Sequence, residues 1–228
     1  MNITASRLTA TAGLCAAAAG AVFIGVQIGH PPADVENIVT TEMLIRESAK
    51  VLMTVLALIG ITGMFLRHRQ RFGVLGLAGF SLLSVGYLAM FAVQCIVAYV
   101  LPTVADSNPA YVQDVLVAAV GGSPSGDIGH MHEVLTVSGI GYAFGGLLFG
   151  IALFRAGVLA RWACALLAVG TTSVLALSAL PESFNRPFAV PTGVALIGLG
   201  VSLWRAERRP SETVDARGTA WAAEPVTR

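Results

Sequence analysis

The sequence predicts an all-α integral membrane protein, a bundle of six transmembrane helices with both termini in the cytoplasm. Six long apolar runs alternate with short polar segments, the mean hydropathy is +0.76, and only 12% of the 228 residues are charged. In soluble domains about a quarter of the residues are charged. Basic residues gather before the first run and after the second, fourth and sixth runs. Nine of the thirteen carboxylates lie in or beside the connections that follow the first, third and fifth runs. Because basic segments stay in the cytoplasm, this alternation gives the orientation.

Prolines and charged residues set the boundaries of the spans. Pro31-Pro32, Pro102 and Pro181 follow the first, third and fifth runs, and proline does not continue a helix interior. Residues 67–71, rich in arginine, are predicted to form a tight turn between the second and third spans. The first run, about 21 residues, is longer than the 7–15 residues of a signal-peptide core, which favours a span. The predicted spans are about 8–28, 41–66, 72–101, 127–154, 162–180 and 188–204, within one membrane domain of residues 1–209. Residues 210–228 are polar and aperiodic, which predicts a disordered cytoplasmic tail.

The segment between the third and fourth spans predicts a short surface helix. It contains no Lys or Arg, and its apolar residues Val112, Val115, Leu116 and Ala119 recur at helical spacing. An amphipathic helix of this kind lies in the plane of the membrane surface. We therefore expect residues 111–120 to cover the outer end of the bundle as a lid.

The helices that run from outside to inside end alike. Residues 61–67, 150–155 and 200–205 each contain a glycine, carry an aromatic residue near the end and close with Arg. Two interpretations stay open: three hairpins related by pseudo-symmetry, or independent use of a glycine interface and an arginine anchor wherever a helix meets the cytoplasm. The glycine-rich helix faces also offer a surface for an oligomer.

Carboxylates recur at one depth in these helices. Glu47, Glu133 and Glu182 lie 20, 22 and 23 residues before the closing arginines, which is about 30–35 Å of helix and matches the hydrocarbon thickness. Other polar residues at this outer rim are spaced to share helix faces: Asp127, His130 and Glu133 at i, i+3, i+6, and Glu42, Arg46 and Lys50 at i, i+4, i+8. Ionisable residues at membrane depth indicate a functional site, although each one alone is also explained as a cap or a snorkelling side chain.

The residue patterns exclude several kinds of chemistry. His130 and His132 are two apart and do not share a helix face, and neither a His-Glu-x-x-His motif nor a cysteine pair occurs, so we expect no metal and no cofactor. The hydrolase elbow, the phosphate-binding loop and the basic stripe of a nucleic-acid-binding protein are also missing. Carboxylates in a poorly hydrated pocket suit the donation and removal of protons.

Two motifs carry a resemblance to known proteins. The run 126–129 (Gly-Asp-Ile-Gly) and the glycine-rich run 141–155 resemble a group of small actinobacterial multipass membrane proteins. The plan of a compact helical bundle with rim carboxylates is also similar to membrane-embedded terpene cyclases of indole-sesquiterpene and meroterpenoid pathways. This resemblance implies a redox-neutral isomerase of the plasma membrane that protonates an alkene or epoxide of a prenylated molecule and deprotonates the final cation.

The resemblance assigns roles to particular residues. Asp127 or Glu133 would be the acid, with Glu47 as the partner that restores it and His130 beside them. A cation needs aromatic faces and polar groups around it, for which the sequence offers a substrate-binding set: Glu42, Arg46, Glu182, Tyr87, Phe91 and Tyr142. Aromatic residues in membrane helices also serve packing. The alternative is a non-enzymatic membrane protein, either a small transporter or an assembly subunit, whose rim acids are solvated and individually replaceable.

Overall fold

Every regular element of the described chain is helical, and no strand occurs among the residues 4–177 and 185–208 that this computed structural model describes. In chain order the elements are α1 (Ala5–Gly25), α2 (Val35–Ile38), α3 (Thr41–Cys95), a π-helical turn (Ile96–Val100), α4 (Leu101–Val104), α5 (Pro109–Ala119), α6 (Met131–Ala156), α7 (Arg161–Leu177) and α8 (Asn185–Arg208). The expected all-α class is confirmed. Glu182, Pro181 and the tail 210–228 lie outside the described residues.

Four helical segments are long and apolar enough to cross a membrane, by length and composition: Ala5–Gly25, Thr41–Val104, Met131–Ala156 and Ala189–Arg208. Arg161–Leu175 is apolar but shorter. A helix of 20 residues is about 30 Å long, close to the thickness of the hydrocarbon layer. These segments support the membrane character expected from the sequence.

Helix α3 folds back on itself at Gly73, which divides it into a first limb (residues 41–72) and a second limb (residues 74–95). Gly73 has φ +57° and ψ −160°, a conformation that glycine adopts at little cost. The limbs are antiparallel, since the Phe65 and Phe80 rings stack at 4.3 Å and Tyr99, beyond the second limb, donates a hydrogen bond to Ser48 Oγ at 3.1 Å. The predicted turn at residues 67–71 is therefore wrong: arginine and glutamine favour helix, and the chain reverses at the first glycine after them.

The helical run also continues past Pro102, where we expected it to stop. Ile96–Val100 forms a π-helical turn, and Pro102 then occupies the first turn of α4. Proline is tolerated in that position because the N–H it lacks would have no intrahelical acceptor.

Glycines allow the helices to approach closely. A Cβ on Gly13 of α1 would lie 2.7 Å from the Gly200 carbonyl oxygen of α8, and one on Gly141 of α6 would lie 2.6 Å from Gly86 Cα of the second limb. Of the glycines in the apparent repeat, Gly63 and Gly200 both meet α1, whereas Gly150 meets α7. All three serve contacts between helices of the chain.

The bundle has two chemically different ends. At the end we call the basic end, Arg67 pairs with Glu207, Ser6 donates to the Glu207 carbonyl at 3.3 Å, and Arg71 lies near Arg155. At the opposite, acidic end, α2, α4, α5 and the start of α6 cover the helices with a separate apolar cluster that includes Ile38, Met43, Val112, Val115 and Leu116. The predicted helix at 111–120 is confirmed as α5.

Candidate functional site

A buried charged cluster lies at the acidic end, formed by Glu47, Lys50 and His30. Glu47 is 3% exposed, and its Oε1 atom lies 2.6 Å from Lys50 Nζ and 3.5 Å from His30 Nε2. Glu47 and Lys50 are one turn apart on the first limb of α3, whereas His30 arrives from the chain beyond α1. Because burying a charge is costly unless it is paired, this cluster is the feature of the acidic end that most needs a functional explanation.

The hydrogen bonds of His30 define where its protons are. His30 Nδ1 lies 2.8 Å from the Pro31 carbonyl oxygen, which only accepts, so Nδ1 carries a proton and donates it. The other ring nitrogen, Nε2, faces the Glu47 carboxyl group. The His30 ring and the Lys50 ammonium group thus both lie against the same oxygen of the Glu47 carboxyl group.

Arg46 fastens the two helices that bring these groups together. Its Nη1 donates to the carbonyl oxygens of Val26 and Ile28 at 3.1 and 2.9 Å, at the end of α1. Its Nε and Nη2 donate to Glu42 Oε1 at 3.0 and 2.8 Å. Cations are favourable at the C-terminal end of a helix, where carbonyl groups lack partners. The expected substrate-binding pair Glu42–Arg46 therefore holds α1 on α3, and so helps to position His30.

A partly open cavity of about 430 Å³ lies beside the cluster, and residues of α1, both limbs of α3, α5, α6, α7 and α8 line it. His30 and Lys50 form part of its wall, and Glu47 lies directly behind them. Apolar residues that line it are Phe23, Met90, Val93, Leu135 and Val174; polar ones are Gln27, Gln94, Ser138, Tyr142 and Ser173. Ligand pockets commonly combine apolar walls with a few polar groups at this volume.

The other predicted acids lie elsewhere. Helix α6 begins at Met131, so Asp127 precedes it and accepts a hydrogen bond from the Gly129 N–H at 2.8 Å. His130 and Glu133 are exposed, with side chains 100% and 65% accessible and 3.6 Å between His130 Nδ1 and Glu133 Oε1. The expectation that Asp127, His130 and Glu133 share one helix face was wrong for Asp127, because Gly129, at φ +57°, interrupts the helix. None of the three lines the cavity.

The expected aromatic set divides in the same way. Tyr142 lines the cavity and meets the buried Tyr87 ring edge to face at 5.8 Å. Phe91 is partly exposed and does not line it. The aromatics of the basic end, Phe65, Phe72, Phe80 and Phe149, form a packed cluster away from the cavity, in agreement with the packing alternative.

Helix α5 contributes both a wall and an unpredicted carboxylate. Residues 118–121 at its end line the cavity. Asp114 accepts hydrogen bonds from the Ser125 N–H at 2.7 Å, the Ser125 hydroxyl at 2.9 Å and the Gly126 N–H at 3.0 Å. These donors favour the ionised form and hold the pKa of Asp114 below its usual value. The available signal was an acid inside an apolar helical pattern, eleven residues before a Ser-Gly turn.

The site is therefore a cavity with the His30–Glu47 pair and the Lys50 ammonium group at its polar wall. Among the residues that the structure describes, no group of three His, Cys, Asp or Glu side chains is arranged to hold a metal ion. Comparison of the chain with protein-family models, with curated proteins and with solved structures found no match.

Proposed function

We propose that this chain is a six-span protein of the plasma membrane with cytoplasmic termini, formed by α1, the two limbs of α3, α6, α7 and α8. The separation of charge between the two ends supports this orientation, because arginines concentrate at the end that carries Ser6 and Arg208. The fold-back at Gly73 supports two spans within the long helical segment.

We further propose that the cavity binds a lipophilic small molecule and that the His30–Glu47–Lys50 cluster transfers a proton to and from it. The observation that carries this proposal is the buried Glu47 carboxyl group, held between His30 and Lys50 at the wall of a cavity of about 430 Å³. Groups that exchange a proton within a cleft are typical of acid–base catalysis. Apolar walls suit a substrate that enters from the lipid.

The specific reaction we propose is a redox-neutral cyclisation of a prenylated molecule. The His30–Glu47 pair gives its proton to an alkene carbon or an epoxide oxygen, a carbon–carbon bond closes the ring, and the vacated base removes a proton from the final cation. No atom is gained or lost overall, so substrate and product are isomers. Tyr142, which lines the cavity against the buried Tyr87, supplies an aromatic face near the cation.

A non-enzymatic binding protein is the second candidate, and the exposure of Asp127 and Glu133 favours it. Solvated acids at the rim have no part in cavity chemistry, as this alternative expects. Such a protein would hold the lipophilic molecule without changing it, and the Glu47 cluster would bind its polar end.

The deciding experiment uses cells that express the full chain, fed a farnesylated indole and extracted for mass spectrometry. The parent and a Glu133→Gln variant should yield a new compound isomeric with the substrate, because Glu133 lies outside the cavity. Glu47→Gln should abolish it at equal expression, since the amide neither gives nor takes the proton. If the parent, well expressed, forms no new compound, the cyclase proposal fails for this substrate class. If the substrate co-purifies unchanged with the parent, the result supports the binding-protein alternative.

A further inference from the structure

A second cavity, of about 420 Å³, lies at the basic end of the bundle. It is lined by residues 71–75 around the Gly73 reversal and by Ala152 and Arg155 near the end of α6. Two guanidinium groups from different helices thus border one space, far along the bundle from the Glu47 cluster. The feature is independent of the function proposed above.

The arginines of this end differ in the groups that they contact. Arg67 pairs with Glu207, Arg161 lies over the Phe154 ring at 5.5 Å, and Arg208 lies over the Trp204 ring at 4.6 Å. Within residues 4–177 and 185–208, no hydrogen bond or ion pair engages Arg71 or Arg155. Arg69 and Arg205 are likewise exposed and unpaired in the described chain, but Arg71 and Arg155 are the two arginines that border one cavity.

The guanidinium groups, rather than the backbone, supply the positive charge of this cavity. The start of the second limb at residues 73–75 lines it, but so do the last turns of the first limb and of α6, whose dipole ends are negative. Arginine is the side chain best suited to bind phosphate, through paired N–H donors in a rigid fork.

The surface beside the cavity is apolar. Val74 is 84% exposed and Leu77, one turn further along the second limb, is 52% exposed. Exposed aliphatic residues at a helix start next to two arginines match a molecule with a charged head and hydrocarbon chains.

We infer that Arg71 and Arg155 form a site for a phosphate group, and that its occupant is the headgroup of an anionic phospholipid. The shared chemistry is a phosphate oxyanion held by two guanidinium groups, and a soluble phosphate would satisfy the same groups. The lipid is favoured by the apolar residues Val74 and Leu77 beside the cavity.

The test measures lipid binding to the purified full chain in detergent, by native mass spectrometry, with phosphatidylglycerol and phosphatidylcholine compared. The parent should bind phosphatidylglycerol in preference, and the double variant Arg71→Gln/Arg155→Gln should bind it about tenfold more weakly, since two charge-assisted contacts are lost. The matched control is Arg69→Gln, an exposed arginine of the same end outside the cavity, which should stay within about twofold. The double variant Arg71→Lys/Arg155→Lys, which keeps the charge, should recover part of the affinity.

Three outcomes would overturn the inference. Equal binding of the two lipids by the parent would exclude an anion-selective site. Equal affinity of the Arg71→Gln/Arg155→Gln variant and the Arg69→Gln control, both shown to be folded by thermal unfolding, would exclude these arginines. A second arm titrates inorganic phosphate against the bound lipid: if phosphate displaces it at millimolar concentration in the parent, the occupant is a soluble phosphate and the lipid assignment is wrong.

Discussion

Replacement of Glu47 by Gln removes the charge that holds the buried cluster together. Glu47 and Lys50 side chains are 4% and 18% exposed, and Nζ lies 2.6 Å from Oε1. Removing one partner of a buried pair typically costs 3–5 kcal/mol because the other charge stays buried and unpaired. Lys50 retains some exposure and the amide oxygen of Gln still accepts a hydrogen bond, so we expect a loss of about 2–3 kcal/mol in the free energy of unfolding. For a chain of this size that corresponds to a melting temperature lower by roughly 5–10 °C.

A double-mutant cycle separates this pair from general damage. Lys50→Met alone leaves Glu47 buried with His30 only, and should also destabilise. The double variant Glu47→Gln/Lys50→Met removes both charges, so its loss should be smaller than the sum of the single losses by about 2 kcal/mol. Thermal unfolding of the purified full chain in detergent, followed by intrinsic fluorescence, measures all four proteins. Glu133→Gln, the same substitution at an exposed position, should stay within about 0.5 kcal/mol of the parent.

The reasoning would be refuted by additivity. If the two single losses sum to that of the double variant, Glu47 and Lys50 are not coupled and the short contact contributes nothing measurable. An unchanged melting temperature for Glu47→Gln would refute the pairing itself, because removal of a buried, paired carboxylate must lower stability.

Four other outcomes follow from the fold and the site. Asp127→Asn should leave any product of the fed-cell assay unchanged, because Asp127 lies outside the cavity; its loss at equal expression would contradict this placement. Gly86→Ala should destabilise by at least about 1–3 kcal/mol, because a Cβ there meets the backbone of α6, whereas Gly139→Ala, with open space around it, should be neutral or stabilising in the same thermal assay. The pKa of Asp114 is lower in the folded protein than in the unfolded chain, so its contribution to the free energy of unfolding is full above the unfolded pKa and disappears as the pH falls through the folded pKa. Asp114→Asn should therefore flatten the acidic part of the stability–pH curve. The full chain with green fluorescent protein after residue 228 should fluoresce, and the same fusion to alkaline phosphatase should be inactive, if the C-terminus is cytoplasmic; the reverse result would invert the topology.

Helices were predictable from the sequence because apolar runs of about 20 residues have few alternatives in a membrane. The covering helix α5 was predictable because Val112, Val115 and Leu116 repeat at helical spacing and are indeed buried. The reversal within α3 was predicted at residues 67–71, and not at Gly73, because the charged residues were taken to mark the turn. A run of arginines is compatible with helix, whereas the positive φ of the reversal requires glycine, and Gly73 was the first one available.

Of the candidate site, only the position along the helix axes was predictable from the sequence. Counting residues back from the closing arginines places Glu47 and Glu133 at one level, because each residue advances the helix by 1.5 Å. The same count says nothing of direction around the helix, which turns about 100° per residue. Glu47 points between α1 and α3 and is buried, whereas Glu133, two residues into α6, points outward. Depth alone therefore could not separate the buried carboxylate from the solvated one.

His30 was missed as a partner because its position depends on the route of a loop. Gly29, at φ +61°, turns the chain after α1, and Arg46 binds the carbonyl groups of Val26 and Ile28, just before that turn. His30 is thereby brought back onto the first limb of α3, where it meets Glu47 seventeen residues further along the chain. The residues of this end form one structural unit: Arg46 and Glu42 fix the loop, and the loop places the imidazole 3.5 Å from the buried carboxyl group. A change at Arg46 should thus act on the cavity through the position of His30, although Arg46 itself does not line it.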